Sequence, residues 1–185
     1  MLPISDPDVR RLADIAIAME AEYERVEDHW KTSPFGWIKT KPSRQVGSIG
    51  ELLVERFCLA KGFTVQRSGN SDFDRLISGI RVEIKFSTLW EGGFFKFQQL
   101  RDQGYDAVFC VGVSAQDAMA WVIPKAVILA ARNKEQGIVS QHGGRAGSDT
   151  AWLTITPSRV PAWLQTYGGT LADALAVLSN MAESR

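Results

Sequence analysis

Apolar and polar positions follow two periods along this chain, and the change from one to the other marks its parts. From Leu12 through Ala16, Met19, Tyr23 and Val26 to Trp30, apolar residues recur at alternating steps of four and three, which makes one stripe on a long helix. Pro7 fits the first turn of that helix, with Ser5 and Asp6 before it as caps. The stripe has two readings, packing on the domain's own core or the seam of a homodimer. Thr32 to Val46, punctuated by Pro34, Gly36 and Pro42, reads as a loop. Helical spacing returns from Ser48 to Lys61, where Ile49, Leu52, Leu53, Phe57 and Ala60 share a face and Glu51 and Glu55 stack on another. Gly47 and Gly50 at its start imply that the backbone there approaches something closely.

The period then drops to two. Gly62 stops the helix, Phe63 to Gln66 reads as a strand, and Ser68-Gly69-Asn70 leads into residues 71–87, SDFDRLISGIRVEIKFS. This stretch predicts a hairpin, Phe73 to Ile77 and Ile80 to Phe86, with Ser78-Gly79 as its two-residue turn. Pairing Ile77 with Ile80 sets Leu76 opposite Arg81, Arg75 opposite Val82, Asp74 opposite Glu83, and Asp72 near Lys85. Asp72, Asp74, Glu83 and Lys85 then leave one face, and Val82, Ile84 and Phe86 the other. Beyond it the pattern predicts a short helix from Phe95 to Asp102, strands at Ala107 to Val113 and Ala118 to Ile123, and a helix from Pro124 to Lys134. A strand at Trp152 to Ile155 and a final helix opened by Thr170, with Asp173 completing a capping box, finish the chain.

The hairpin carries the chemistry. Like charges opposed across a sheet repel, so Asp74 against Glu83 calls for a positive partner between them, and a divalent metal supplies one. Carboxylates on rigid strands are hard ligands suited to Mg²⁺, with Mn²⁺ as a substitute. Lys85, two residues past Glu83, can stabilise charge building on a phosphate or orient the attacking water. Asp72 is a rival ligand, set behind Asp74 by the counted register and kept as an outer partner.

Composition narrows the picture. The chain's 185 residues, 45% of them hydrophobic, suit one ordered domain. No apolar run is long enough to span a bilayer and the N-terminus lacks an export signal, which points to the cytoplasm and away from membranes. Cys58 and Cys110 lie among apolar neighbours and read as buried thiols. With only His29 and His142, a zinc or histidine-metal site is not credible. The formal net charge of +0 does not advertise nucleic acid, so a DNA-binding role needs local positive charge. Lys31 to Gln45 supplies it: Lys39, Lys41 and Arg44 interleave with Phe35 and Trp37 and no acid, a segment either for gripping a phosphate backbone or for a solvated linker. In the polar, glycine-rich stretch 137–150, Gln141, His142 and Arg145 can reach base edges in a groove or simply occupy a surface loop.

An Asp, a turn, then Glu-x-Lys on the next strand, here Asp74 followed by Val82-Glu83-Ile84-Lys85, resembles the PD-(D/E)XK nuclease superfamily, with Phe73 where the literal pattern has Pro. The predicted order of helix, three strands, helix, strand across about residues 47–123 also resembles that superfamily's core. The resemblance implies an α/β, restriction-endonuclease-like fold, a central mixed sheet flanked by helices (αβββαβ). A single nuclease domain would then cover 1–185, with an N-terminal helix and basic loop over 1–46 and added C-terminal helices over 124–185. It implies a Mg²⁺-dependent DNA endonuclease, with Asp74 and Glu83 as metal ligands, the Ile84 carbonyl beside them, Lys85 as catalytic lysine, and hydrolysis to a 5′-phosphate and a 3′-hydroxyl. By the same resemblance Glu51 is either a further metal ligand or an exposed helix glutamate, and Gln98 or Gln99 either reaches the site or faces water. Within the superfamily a type II restriction enzyme, often a symmetric dimer, competes with a structure-specific repair or recombination nuclease. Outside it stand an inactive DNA-binding module of the same fold and a glycosyltransferase using Asp72-Phe73-Asp74 as its metal motif.

Overall fold

The computed structural model describes residues 6–24, 28–69, 71–141 and 150–184. The chain begins with α1 (Pro7–Glu24), capped by Asp6, whose Oδ1 accepts a hydrogen bond from the Val9 amide at 3.1 Å. Two single-turn helices follow, α2 (Asp28–Lys31) and α3 (Gly36–Lys39), and then α4 (Ser43–Ala60). After it come β1 (Val65–Arg67), β2 (Arg75–Ile77), β3 (Ile80–Thr88), β4 (Phe95–Leu100), β5 (Ala107–Val113) and β6 (Ala118–Pro124). The remainder consists of α5 (Lys125–Ala131), β7 (Ile138–Ser140), β8 (Ala151–Ile155), α6 (Ala162–Gln165), β9 (Gly168–Gly169) and α7 (Leu171–Glu183). The predicted capping box of the last helix is present, Thr170 Oγ1 accepting from the Asp173 amide at 3.1 Å.

The fold is mixed α/β, with a central mixed sheet flanked by helices. That sheet has the order β1-β2-β3-β5-β6-β9, and β3 with β5 is its parallel pair. Val82, Ile84, Phe109, Val111 and Val122 fill one face against Val54 and Cys58 of α4 and Ala174, Leu175 and Leu178 of α7. The other face, with Val108, Cys110, Trp121 and Ile123, packs against α5 and a second sheet of order β4-β8-β7. Both cysteines are buried and free, and burial pushes the Cys58 thiol up to about 12. Among the described residues no helix is long and apolar enough to cross a membrane.

Three expectations are corrected. Phe95–Asp102 is not a helix: β4 occupies it, so the predicted αβββαβ order has a strand where its second helix was expected. Phe95 and Phe97 point inward and Lys96 outward at a period of two; then Gln99, at φ 58°, inserts a bulge that returns Leu100 to the buried side. That one-residue reset places Phe97 and Leu100 three apart, the spacing that mimics a helix. The crossover between parallel β3 and β5 is therefore made by a strand of the second sheet. Secondly, Thr32–Val46 is not all loop, for α3 lies within it and α4 opens at Ser43. Pro42 precedes α4's first residue and accepts from the Gln45 and Val46 amides, starting the helix rather than interrupting it. Thirdly, the stripe packs on the domain's own core only at its end: Leu12 of α1 is 66% exposed and Met19 is also exposed, whereas Trp30, in α2, is buried. Val26 of that stripe lies outside the described residues.

Candidate functional site

The predicted hairpin forms in the predicted register: Ile77↔Ile80, Leu76↔Arg81, Arg75↔Val82. Ser78 at φ 45° and Gly79 at φ 85° make the left-handed turn that this register requires. The ladder stops there, and Asp74 is not set squarely against Glu83. Its amide donates to the Val82 carbonyl at 3.0 Å, and its Oδ2 accepts from the Ile84 amide at 2.7 Å. The side chain thus takes the backbone donor that a continuing β2 would have used, and is fixed at the point where β3 loses its neighbour.

This opening in the sheet forms the floor of a cleft of about 700 Å³. Asp74, Glu83, Ile84 and Lys85 line it from the hairpin, and Glu51 from α4. Glu83 is 8% exposed, and Lys85 Nζ donates to its Oε1 at 2.7 Å. Burial first, and the charge of Asp74 after it, raise the Glu83 carboxyl above its usual range despite Lys85. Glu51 is raised by burial and then by Asp74, with Glu83 adding to the effect. Charge repulsion among the three carboxylates therefore adds to burial at Glu51 and Glu83, with Lys85 paired to Glu83 and Arg75 to Glu51.

Asp72, expected on the same face, is elsewhere. It packs against Gly104, where an added Cβ would fall 3.0 Å from the Asp72 Cβ, and its charge acts on Arg81. The loop over 71–74 has not yet entered the strand, so the two-residue alternation does not reach back to it.

The cations come to the same cleft. Lys39, Lys41 and Arg44, at the end of α3 and the start of α4, line its rim, as do Gln98 and Gln99 of β4. Gln141 does not join them: its amide donates to the Thr150 carbonyl at 2.7 Å and its Oε1 accepts from the Thr150 hydroxyl. His142 and Arg145 lie outside the described residues.

Three participants went unforeseen. Lys96 lines the cleft from β4, its Nζ 3.8 Å from the Trp152 ring centroid, and Trp90 lines it from the turn after β3. Arg75 lies behind the carboxylates, 7% exposed, where its Nε donates to Glu55 at 2.7 Å and its Nη1 to Glu51 at 3.3 Å and to the Asp74 carbonyl at 2.8 Å. Its position was readable: pairing Arg75 with Val82 puts it on the core face, toward the helix on which Glu51 and Glu55 stand four apart.

Arg75→Ala should therefore cost about 3 kcal/mol of stability, because it leaves two carboxylates without their shared cation. Denaturant titration of wild type and mutant measures it, and a loss under about 0.5 kcal/mol would mean the clamp carries no weight. Hydrogen bonding to Arg75 is the main cause that holds the Glu55 carboxyl below its usual range. A depressed carboxyl contributes stability that is complete above its unfolded value and fades as pH falls through its folded one. The mutant's deficit should accordingly shrink in acid.

The donors suit a hard divalent cation in chemistry: carboxylate oxygens and the Ile84 carbonyl, with no sulfur or imidazole. Among the described residues, no three His, Cys, Asp or Glu side chains are gathered closely enough to hold a metal ion. Asp74 and Glu83 share the cleft, and Glu51, tied to Arg75, lines it from α4.

No family model and no curated protein matches the chain. Among solved structures it is similar to a bacterial homing endonuclease, I-Ssp6803I, at 16% identity over 78% of this chain and 98% of that one, with a TM-score of 0.48.

Proposed function

We propose that the protein is a Mg²⁺-dependent DNA endonuclease of the PD-(D/E)XK type, hydrolysing phosphodiester bonds in the cleft between α4, β3 and β4. The observation that carries this is the convergence of opposites: Glu51, Asp74 and Glu83 at the floor, Lys85 among them, and Lys39, Lys41, Arg44 and Lys96 around them. A polyanion meets the rim first, and its phosphates release counterions there. A Mg²⁺ held by Asp74, Glu83 and the Ile84 carbonyl would supply Lewis-acid polarisation of the phosphate and of a water, with Glu51 kept behind them by Arg75. The residues do the rest. Glu83 holds Lys85 by its Oε1, which keeps the ammonium inside the cleft where charge builds on the phosphorus oxygens. Attack by water on phosphorus with departure of the 3′-oxygen leaves a 5′-phosphate and a 3′-hydroxyl.

Supercoiled plasmid incubated with Mg²⁺, with Mn²⁺ and with EDTA tests the reading. Relaxed or linear DNA with either metal and intact plasmid in EDTA are expected, and cleavage that persists in EDTA would defeat it. The rim has its own signature. Neutralising Lys39, Lys41 and Arg44 together should weaken binding to every duplex alike and flatten the log–log salt dependence by about three phosphate contacts, roughly 0.9 each. An unchanged salt slope would remove these side chains from the interface.

A further inference from the structure

The turn after β3 carries a half-exposed indole, Trp90. β3 ends at Thr88, and the Leu89 amide donates to the Val113 carbonyl at 2.8 Å. The chain then closes on itself: the Trp90 amide donates to the Phe94 carbonyl at 3.0 Å, and the Gly93 amide to the Trp90 carbonyl at 2.9 Å. The Phe94 ring lies beneath Trp90 with centroids 5.8 Å apart and planes 23° from parallel. The turn is moulded to that ring, for an added Cβ at Gly92 would come within 2.5 Å of it. Trp90 nevertheless stays 46% exposed. Lys96 Nζ is 5.4 Å from its centroid, and a shallower hollow of about 460 Å³, lined by Lys39, Thr88, Leu89, Trp90, Glu91 and Gly92, opens from the same wall as the main cleft.

A large, half-exposed aromatic surface, stacked on Phe94 and with the flexible Lys96 ammonium over its ring, has the chemistry of a nucleobase platform from which that lysine can turn to the accompanying phosphate. Stacking needs a bare π-face, which duplex DNA keeps hidden between neighbouring base pairs, whereas an unpaired nucleotide presents one. Lys39 and Lys96 suit the phosphate that accompanies that base. Resting on the endonuclease reading, we infer that Trp90 is a stacking platform for an unpaired base beside the carboxylate cleft. The preferred substrate class is DNA in which single strand adjoins duplex. The adjoining duplex lies on the Lys39, Lys41 and Arg44 rim, so the two contacts are separable.

The test is binding in EDTA, where nothing is cut. Fluorescence anisotropy compares a short blunt duplex with the same duplex carrying a single-stranded extension of a few nucleotides at its 5′ or its 3′ end, with 2-aminopurine in the extension. Wild type should bind at least one extended form about tenfold more tightly than the blunt duplex and quench the 2-aminopurine. Trp90→Ala should bind all three with the blunt affinity and no quenching, while Trp90→Phe, still aromatic, keeps most of the preference. Thermal melts of both variants check that the turn has not unfolded. Equal binding of blunt and extended DNA by wild type, or a preference that survives Trp90→Ala, overturns the platform and leaves the endonuclease reading standing. Failure to bind any of these DNAs overturns both.

Discussion

Asp74→Asn should leave the protein folded and able to bind DNA while lowering cleavage by about 10³-fold or more. Asn keeps the shape of Asp and a carbonyl oxygen, so it can still accept from the Ile84 amide, the hydrogen bond that holds this side chain at 2.7 Å. What it loses is the negative charge, on which the proposed Mg²⁺ binding rests and which raises Glu51 and Glu83. Relief of that repulsion should make the mutant no less stable than wild type. Lys85→Ala reaches the same loss of cleavage from the other side. It removes the cation that donates to Glu83, whose carboxyl, already raised by burial, should rise further. The decisive comparison is single-turnover cleavage against affinity measured in EDTA. Both mutants should lose rate and keep binding within a few fold. Cleavage at the wild-type rate by either would remove that residue from the chemistry, and loss of binding in parallel with rate would make its role one of holding DNA.

How much of this site the sequence carried depends on how local the determining interaction is. The hairpin register followed from two residues, because Gly79 tolerates the left-handed turn and the two-residue loop leaves a single pairing of Ile77 with Ile80. Glu83 and Lys85 then fell into one cleft by alternation, and Asp74 joined them where the ladder ends. Lys39, Lys41 and Arg44 were legible as a charge cluster, although their meeting with the carboxylates depends on how α4 lies across β3, which no local pattern encodes. The failures were failures of phase. At Asp74 the ladder ends and at Gln99 it bulges, and in each case one residue outside the regular pleat changes which side chains share a face. Asp72 lost its place to the first of these events, and the second disguised β4 as a helix. Pro42 shows the remaining kind of ambiguity, since a proline breaks a helix from within and begins one from its edge.

Gly50→Ala should destabilise the fold by about 2 kcal/mol and, through Glu51, slow cleavage as well. Two effects oppose each other here. Alanine is the better helix former by about 1 kcal/mol, and position 50 lies inside α4. Against that, its Cβ would fall 2.2 Å from the Phe86 Cβ and 2.5 Å from the Phe86 Cγ, where Gly50 is buried against β3. Rotating or trimming the Phe86 ring cannot relieve a clash that includes its Cβ, so helix and strand must separate, and the steric term wins. Separation moves the next residue, Glu51, away from Asp74 and loosens the Arg75 clamp that ties α4 to the hairpin. Gly47 supplies the control. It is exposed on the same helix with nothing within 4 Å of an added Cβ, so Gly47→Ala should gain up to about 1 kcal/mol from propensity alone. Thermal melts of the two variants should therefore shift in opposite directions, Gly50→Ala downward by about 4–8 °C and Gly47→Ala upward by a few degrees. If Gly50→Ala melted with or above wild type, α4 would not be seated on Phe86, and Glu51 would lose its place beside Asp74 and Glu83.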